Sequence, residues 1–370
     1  MSYARIVLVF GILFVFTIQI NRCSENTTGP GKNTPDTTSH DFEWQIYEFG
    51  GQNGSSILYD VAIVDENDIW AVGEIYTEDT YTRDSLGNLI KPYNAVHWDG
   101  EKWELKHVYV DYRGDPNLAP LKGVFALDNG EVVFSSGLPY LPTNNGWDLY
   151  HLWDMGILDE NDGGLDNIWG TSISNLYFAG RNGTIVHYDG QGWTKLESGT
   201  DIDLRDIWGS TEHDVLWSCG YNNSYSESIL LQYQNSAWRH FWSWSNQNGA
   251  SDSIYAGLMQ SVWQIDFEDM MIVSGDGVFR QDVKGEQPPQ KENLFLEAFP
   301  SLVRGNSPNN VFIVGYRGMA WHYNGISWMN YPQFQEFSTV FKSVAVDEGR
   351  VVIVGEDNSA DKALILIGNR

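Results

Sequence analysis

Three carboxylates, Glu74, Asp276 and Glu356, each follow an apolar run that ends in glycine: DIWAVG, DMMIVSG and RVVIVG. Two carboxyl groups facing each other across a cleft can cleave a glycosidic bond, one as acid and one as base or nucleophile. Spacing along the chain does not say which two would face, so no pair stands out. His97, His187 and His322 also recur at one position, just before an aromatic residue in VHWDG, VHYDG and WHYNG. Three general bases at equivalent places would be redundant, so a shared packing or hydrogen-bonding role is expected. The acidic stretch DENDG at 159–163 could present oxygens to Ca²⁺. It lacks the alternate-position Asp pattern of a dedicated calcium loop and reads as a solvated turn. No metal site and no cofactor motif is expected. Cys219, inside the apolar run VLWSCG, reads as a small buried hydrophobe, and with Cys23 the only other cysteine there is no disulfide framework.

These residues sit in a phrase that recurs along the chain: a short apolar strand, a polar turn, a second strand ending in Gly, then an aromatic-Asp-Gly turn leading to Trp. Copies read LDNIWGTSISNLYFAG with IVHYDGQGW, LRDIWGSTEHDVLWSCG with LLQYQNSAW, and SLVRGNSPNNVFIVG with AWHYNGISW. The second strands fall at 68–73, 131–137, 175–180, 214–220, 269–275, 310–315 and 350–355, each preceded by an inner strand centred on Val61, Val124, Ile168, Ile207, Val262, Val303 or Val344. From Val61 to Val344 there are six intervals of about 47 residues, the period of a four-stranded blade. One such unit cannot cover its own apolar faces, so the units must stack. The expectation is an all-β chain forming a single seven-bladed β-propeller, with six or eight blades as the alternatives.

The last repeat supplies three strands, around FKSVAV, VVIVG and ALILIG, and then the chain ends. FEWQIYEF at 42–49 alternates like a strand but precedes the first repeat. Pairing the two would complete the last blade and remove an open sheet edge. Asp99-Gly100, Asp189-Gly190 and Asn324-Gly325 mark tight hairpins that need positive φ. Trp103, Trp193, Trp238 and Trp328 follow at a fixed offset and are expected between neighbouring blades.

Ahead of the repeats, Arg5 and the apolar run Ile6 to Ile18 form a secretory signal, too short to span a bilayer comfortably. Residues 1–22 are therefore assigned to the signal peptide, 23–41 to a Ser/Thr/Gly/Pro/Asn-rich flexible tether, and 42–370 to the propeller. Cys23, followed by this polar stretch, resembles the acylated cysteine of a bacterial lipoprotein, with Arg22 where such signals place a small residue. The expected location is the cell envelope, outer membrane or periplasm-facing, with the membrane reached only through an N-terminal lipid or anchor. The net charge of −27 repels phosphate backbones and argues against nucleic-acid binding.

Phrases such as IWGTSISNLYFAGRNGTIVHYDGQGW resemble the propeller repeats of exported bacterial proteins and lipoproteins across nearly all of 42–370, and are more distantly similar to neuraminidase-type and photosystem-assembly-type propellers. Neuraminidase Asp boxes place Trp one position later than Asp189 to Trp193 does here. No Arg triad with a Tyr partner is present to carry over. The resemblance implies a fold and leaves the activity open.

Loop lengths divide the ring into two faces. Turns from first to second and third to fourth strands are expected to be short, as in DEN at 65–67, STEH at 210–213 and DGEK at 99–102. The other connections include 74–94, 111–120, 138–146, 242–257 and 284–293, and long variable loops mark a binding surface. At the mouth of that face the candidates are Glu74, Arg181, Arg205, Tyr221, Asp276, Tyr316, Arg317 and Glu356, with Asp60 and Asp166, overhung by Trp242, Trp244 and Tyr255. Carboxylate, guanidinium and aromatic groups together suit a glycan or an envelope protein as partner. The expected role is non-catalytic binding. The alternatives are a carbohydrate-active hydrolase or lyase and an assembly factor for an envelope complex.

Overall fold

The computed structural model describes residues 37–210, 215–246, 257–265 and 268–370. The signal segment, Cys23, the first part of the tether and Tyr255 lie outside the described residues. Seven four-stranded antiparallel sheets follow one another around a ring, each ordered from an inner strand outward. Blade one spans 57–106, blade two 123–149, blade three 165–196, blade four 204–245, blade five 259–291 and blade six 300–330. Blade seven takes three strands, Thr339–Val346, Arg350–Asp357 and Lys362–Asn369, from the C-terminus and its outer strand, Glu43–Gly50, from the N-terminus. The closing ladder pairs Glu43 with Asn369 through to Gly50 with Lys362. The described residues contain no α-helix, only two 3-10 turns, Arg181–Gly183 and Pro332–Phe334.

The repeat residues do the structural work expected of them. Gly100, Gly190 and Gly325 have φ of +93°, +86° and +94°. The side chain before each accepts two backbone N–H bonds: Asp99 from Glu101 and Lys102, Asp189 from Gln191 and Gly192, and Asn324 from Ile326 and Ser327. His97, His187 and His322 each place Nε2 against the first residue of the adjacent second strand, at 2.8 Å from Asp68, 2.8 Å from Asn175 and 3.1 Å from Asn310. Each imidazole also stacks on an aromatic ring, Trp70, Tyr177 or Phe312. The four hairpin tryptophans pack toward the preceding blade: Trp103 with Tyr47 and Phe49 of blade seven, Trp193 with blade two, Trp238 with blade three and Trp328 with blade five. Removing such rings from water is the main force joining neighbouring blades. Cys219 is fully buried and unpaired, and burial pushes its thiol up.

Three stretches expected as long loops on the variable face are placed otherwise, and the first four residues of 242–257 belong to the outer strand Ala237–Ser245 of blade four. In 138–146, Pro139–Thr143 is the third strand of blade two and only the remainder turns. Two prolines are tolerated there because pairing with the second strand stops after Pro139 and Tyr140. Of 284–293, the segment before Gln290–Lys291 joins the third and outer strands of blade five, on the opposite face. It is long because that outer strand has only two residues. The Asp282 carboxylate braces it, accepting the N–H groups of Lys284 and Gln287.

Candidate functional site

Every inner strand bends at the same place. In six blades one extra residue is inserted two positions before the central Val or Ile: Tyr59, Asp166, Arg205, Gln260, Ser301 and Lys342. In blade two Lys122 and Gly123 together face Ser135. A bulge re-aims the inserted side chain, and here it lies at the long-loop end of the inner strand. The backbone device repeats around the ring while its side chains do not: Tyr, Lys, Asp, Arg, Gln, Ser and Lys.

The candidates cluster around these bulges. Arg205 lies over the Tyr221 ring at 4.5 Å and 3.6 Å from Asp203. Lys342 sits 3.0 Å from Glu356 and 5.7 Å from the Tyr316 ring. Arg317, held at φ +59°, covers Phe337, and Arg181 approaches Asp166 at 3.9 Å. Lys122 stands 3.3 Å over Tyr59. The Tyr76 hydroxyl donates to Glu74, and burial together with that carboxylate raises the phenol. Asp276 is exposed on blade five. Glu74, Asp276 and Glu356 thus stand on blades one, five and seven, and two of them already have partners.

Trp242 and Trp244 are on the outer strand Ala237–Ser245 of blade four, away from the axis. Trp242 is half-buried against the apolar layer between blades four and five. Sequence reasoning missed Tyr59, Lys122, Lys342 and Phe337. A polar or cationic residue interrupting an otherwise apolar inner strand was the available signal for Lys122 and Lys342.

Below the bulges, the next inward-facing residues tie neighbouring blades together around the axis. The Asp60 carboxylate accepts Val124 N–H from blade two at 2.9 Å and Ser343 Oγ–H from blade seven at 2.7 Å. Asp206 accepts Val262 N–H and Ser261 Oγ–H from blade five, and Ser261 Oγ in turn accepts Val303 N–H from blade six. Inner-strand edges would otherwise leave these N–H groups unpaired. Burial lifts Asp60 above the ordinary carboxylate range, and its hydrogen bonds oppose the rise.

One layer further, aromatic residues occupy the equivalent position in four successive blades: Phe125, Trp169, Trp208 and Trp263. A Cβ on Gly209 would lie 2.6 Å from the Trp169 ring, and one on Gly305 2.9 Å from Trp263, so glycine on the next blade admits each indole. Arg304 occupies the position in blade six, and Ala62 and Ala345 in blades one and seven. Around this layer lies an axial cavity in two compartments, about 620 Å³ and 370 Å³, which share Phe125, Ala126, Asp128, Trp208 and Gly305. Among the described residues, exposed Asp128, Asn306 and Pro308 lie on its rim on the short-turn face. Of the described mouth candidates, only Asp60 reaches the cavity wall.

The sequence matches no protein-family model, and a search of curated proteins finds no relative. Solved structures resemble it in fold. A catalytically inactive virginiamycin B lyase from Staphylococcus aureus with quinupristin aligns at TM-score 0.59 and 15% identity, over 88% of this chain and 99% of that one. YCF48 bound to D1 peptide aligns at 0.59 and 13%, over 88% and 97%. The extracellular domain of a one-component system from B. thetaiotaomicron aligns at 0.57 and 12%, over 88% of this chain and 40% of that one.

Proposed function

We propose that this chain is a non-catalytic propeller of the cell envelope that grips a protein segment or a glycan through the long-loop face. One observation carries the reading. The bulge is repeated on every blade, yet its side chains form no repeat, whereas the histidines, tryptophans and Asp-Gly turns that build the scaffold do. Unlike groups presented by a common backbone device make an oriented surface, with cation and aromatic pairs at Arg205/Tyr221, Lys122/Tyr59 and Arg317/Phe337.

Thr38 Oγ1 donates to Asn309 O in a short turn of blade six, on the face opposite the mouth. Propellers of this architecture hold a peptide in YCF48 and quinupristin in the lyase, which supports a partner of either a peptide or a small-ligand kind. The extracellular neighbour is consistent with export.

The test is capture by cross-linking from envelope extract, with the partner identified by mass spectrometry. The combined variant Arg205→Glu, Tyr316→Ala, Arg317→Glu should lose the partner, and undiminished capture would retire the mouth. These exposed positions are preferred to Trp242, whose removal would disturb packing. Turnover of a polysaccharide by the wild type, abolished by Glu356→Gln, would replace the proposal with a carbohydrate-active enzyme.

A further inference from the structure

The axial cavity lies at the other end of the ring and has chemistry of its own. Two carboxylates line it, Asp60 and Asp128, and neither forms an ion pair with a described residue. Its cation, Arg304, is already committed: it makes a bidentate pair with Asp206, and also donates to Ser261 Oγ and Val303 O. Asp60 is met by hydrogen bonds from Val61, Val124 and Ser343, so the carboxylate the lining leaves without a counter-charge among the described residues is Asp128, at the exposed rim.

Its walls suit a cation as well. Arg304 lies 4.6 Å from the Trp208 ring centroid, so that indole already accepts a guanidinium. Arg304 lines only the smaller compartment, while Trp208 lines both. Trp208 lines the larger compartment together with Phe125, Trp169 and Trp263, and Asp128 stands on the same lining at the exposed rim. A volume of about 620 Å³ is within the range of small-ligand sites. An ammonium or guanidinium group between an indole and a carboxylate gains from both.

We propose that the axial cavity is a binding site for a small organic cation, which enters from the short-turn face and sets its charged group between Asp128 and Trp208. A metal ion or an anion would not fit this set: no three His, Cys, Asp or Glu side chains converge there among the described residues, and the rim carboxylate Asp128 repels the anion.

Isothermal titration of the full chain with choline, and with its neutral isostere 3,3-dimethylbutan-1-ol, tests the charge requirement, and agmatine tests the guanidinium form. Choline or agmatine should bind saturably at one site. The neutral isostere should bind at least about ten-fold more weakly, in keeping with a cation–aromatic contribution of order 1–2 kcal/mol. Asp128→Asn, in an exposed turn, should weaken the cation about ten-fold and leave the isostere unchanged. Trp208→Phe should weaken it less than Asp128→Asn does, with the thermal midpoint reported alongside. No saturable binding of either cation, equal affinity for the isostere, or an unaffected Asp128→Asn variant would overturn the proposal. The mouth variants described above leave this site intact, so the two readings fail separately.

Discussion

Arg304 of blade six and Asp206 of blade four are joined by two hydrogen bonds, Nη1 to Oδ2 at 2.9 Å and Nη2 to Oδ1 at 2.5 Å, although 98 residues separate them. The guanidinium reaches back past blade five and closes over Trp208. It is the contact in which three neighbouring blades share one buried charge pair, with Ser261 between them. Removing one partner strands the other. Arg304→Met should lower unfolding free energy by about 3–5 kcal/mol, whereas Asp206→Leu with Arg304→Met should recover much of it. Urea unfolding of both variants checks this; equal losses in the single and double variants would show that the charges do not depend on each other.

The N-terminal strand closes the ring. Phe42 and Trp44 pack on Phe312, Tyr331 and Phe334, beside the eight-residue ladder with Lys362–Asn369. A chain beginning at Gly51 leaves that ladder exposed as a sheet edge. Its thermal midpoint should fall by about 10 °C or more. A synthetic peptide covering 37–50 should restore it, and calorimetry with and without the peptide reads the effect directly.

His322 gives the fold an acid sensitivity. Burial first, then the positive charge of His40 and Arg370, depresses its imidazole to about 3. The folded state therefore refuses a proton that the unfolded chain accepts near pH 6.5. The stabilisation is present above that pH and is lost as pH falls toward 3, by about 2 kcal/mol between pH 6.5 and 5. Blade four carries Gln232 at the matching register, opposite Trp217. His322→Gln should flatten the stability profile across this window in urea titrations; an unchanged slope would assign the sensitivity to other groups.

Gly209 has no room for a side chain. An added Cβ would stand 2.4 Å from Leu216 Cδ2 and 2.6 Å from Trp169. Gly209→Ala should cost about 1–3 kcal/mol by overpacking. Gly192, with nothing within 4 Å of the same added atom, is the control and should stay within about 0.5 kcal/mol of wild type when changed to Ala.

Much of the scaffold is legible because its determinants are neighbours in sequence. A strand period, an Asp-Gly pair at a hairpin, or a His one residue before an aromatic acts through backbone geometry over a few residues. The count of seven and the N-terminal closure follow from those local units and from a missing fourth strand. Loop placement is less legible. Pro139 and Pro142 imply a loop, yet both lie in the third strand of blade two, because only the ladder shows which N–H groups are dispensable.

What the residues by themselves determined is the blade: its strands, its turns, its repeated tryptophans and histidines, and the need to stack. Ring closure decided the rest. Whether Asp206 meets Arg304, whether Asp60 joins blades seven and two, and whether Trp208 borders a cavity depend on distances across the axis. Those distances are set by how all seven blades pack at once, and no local pattern encodes them.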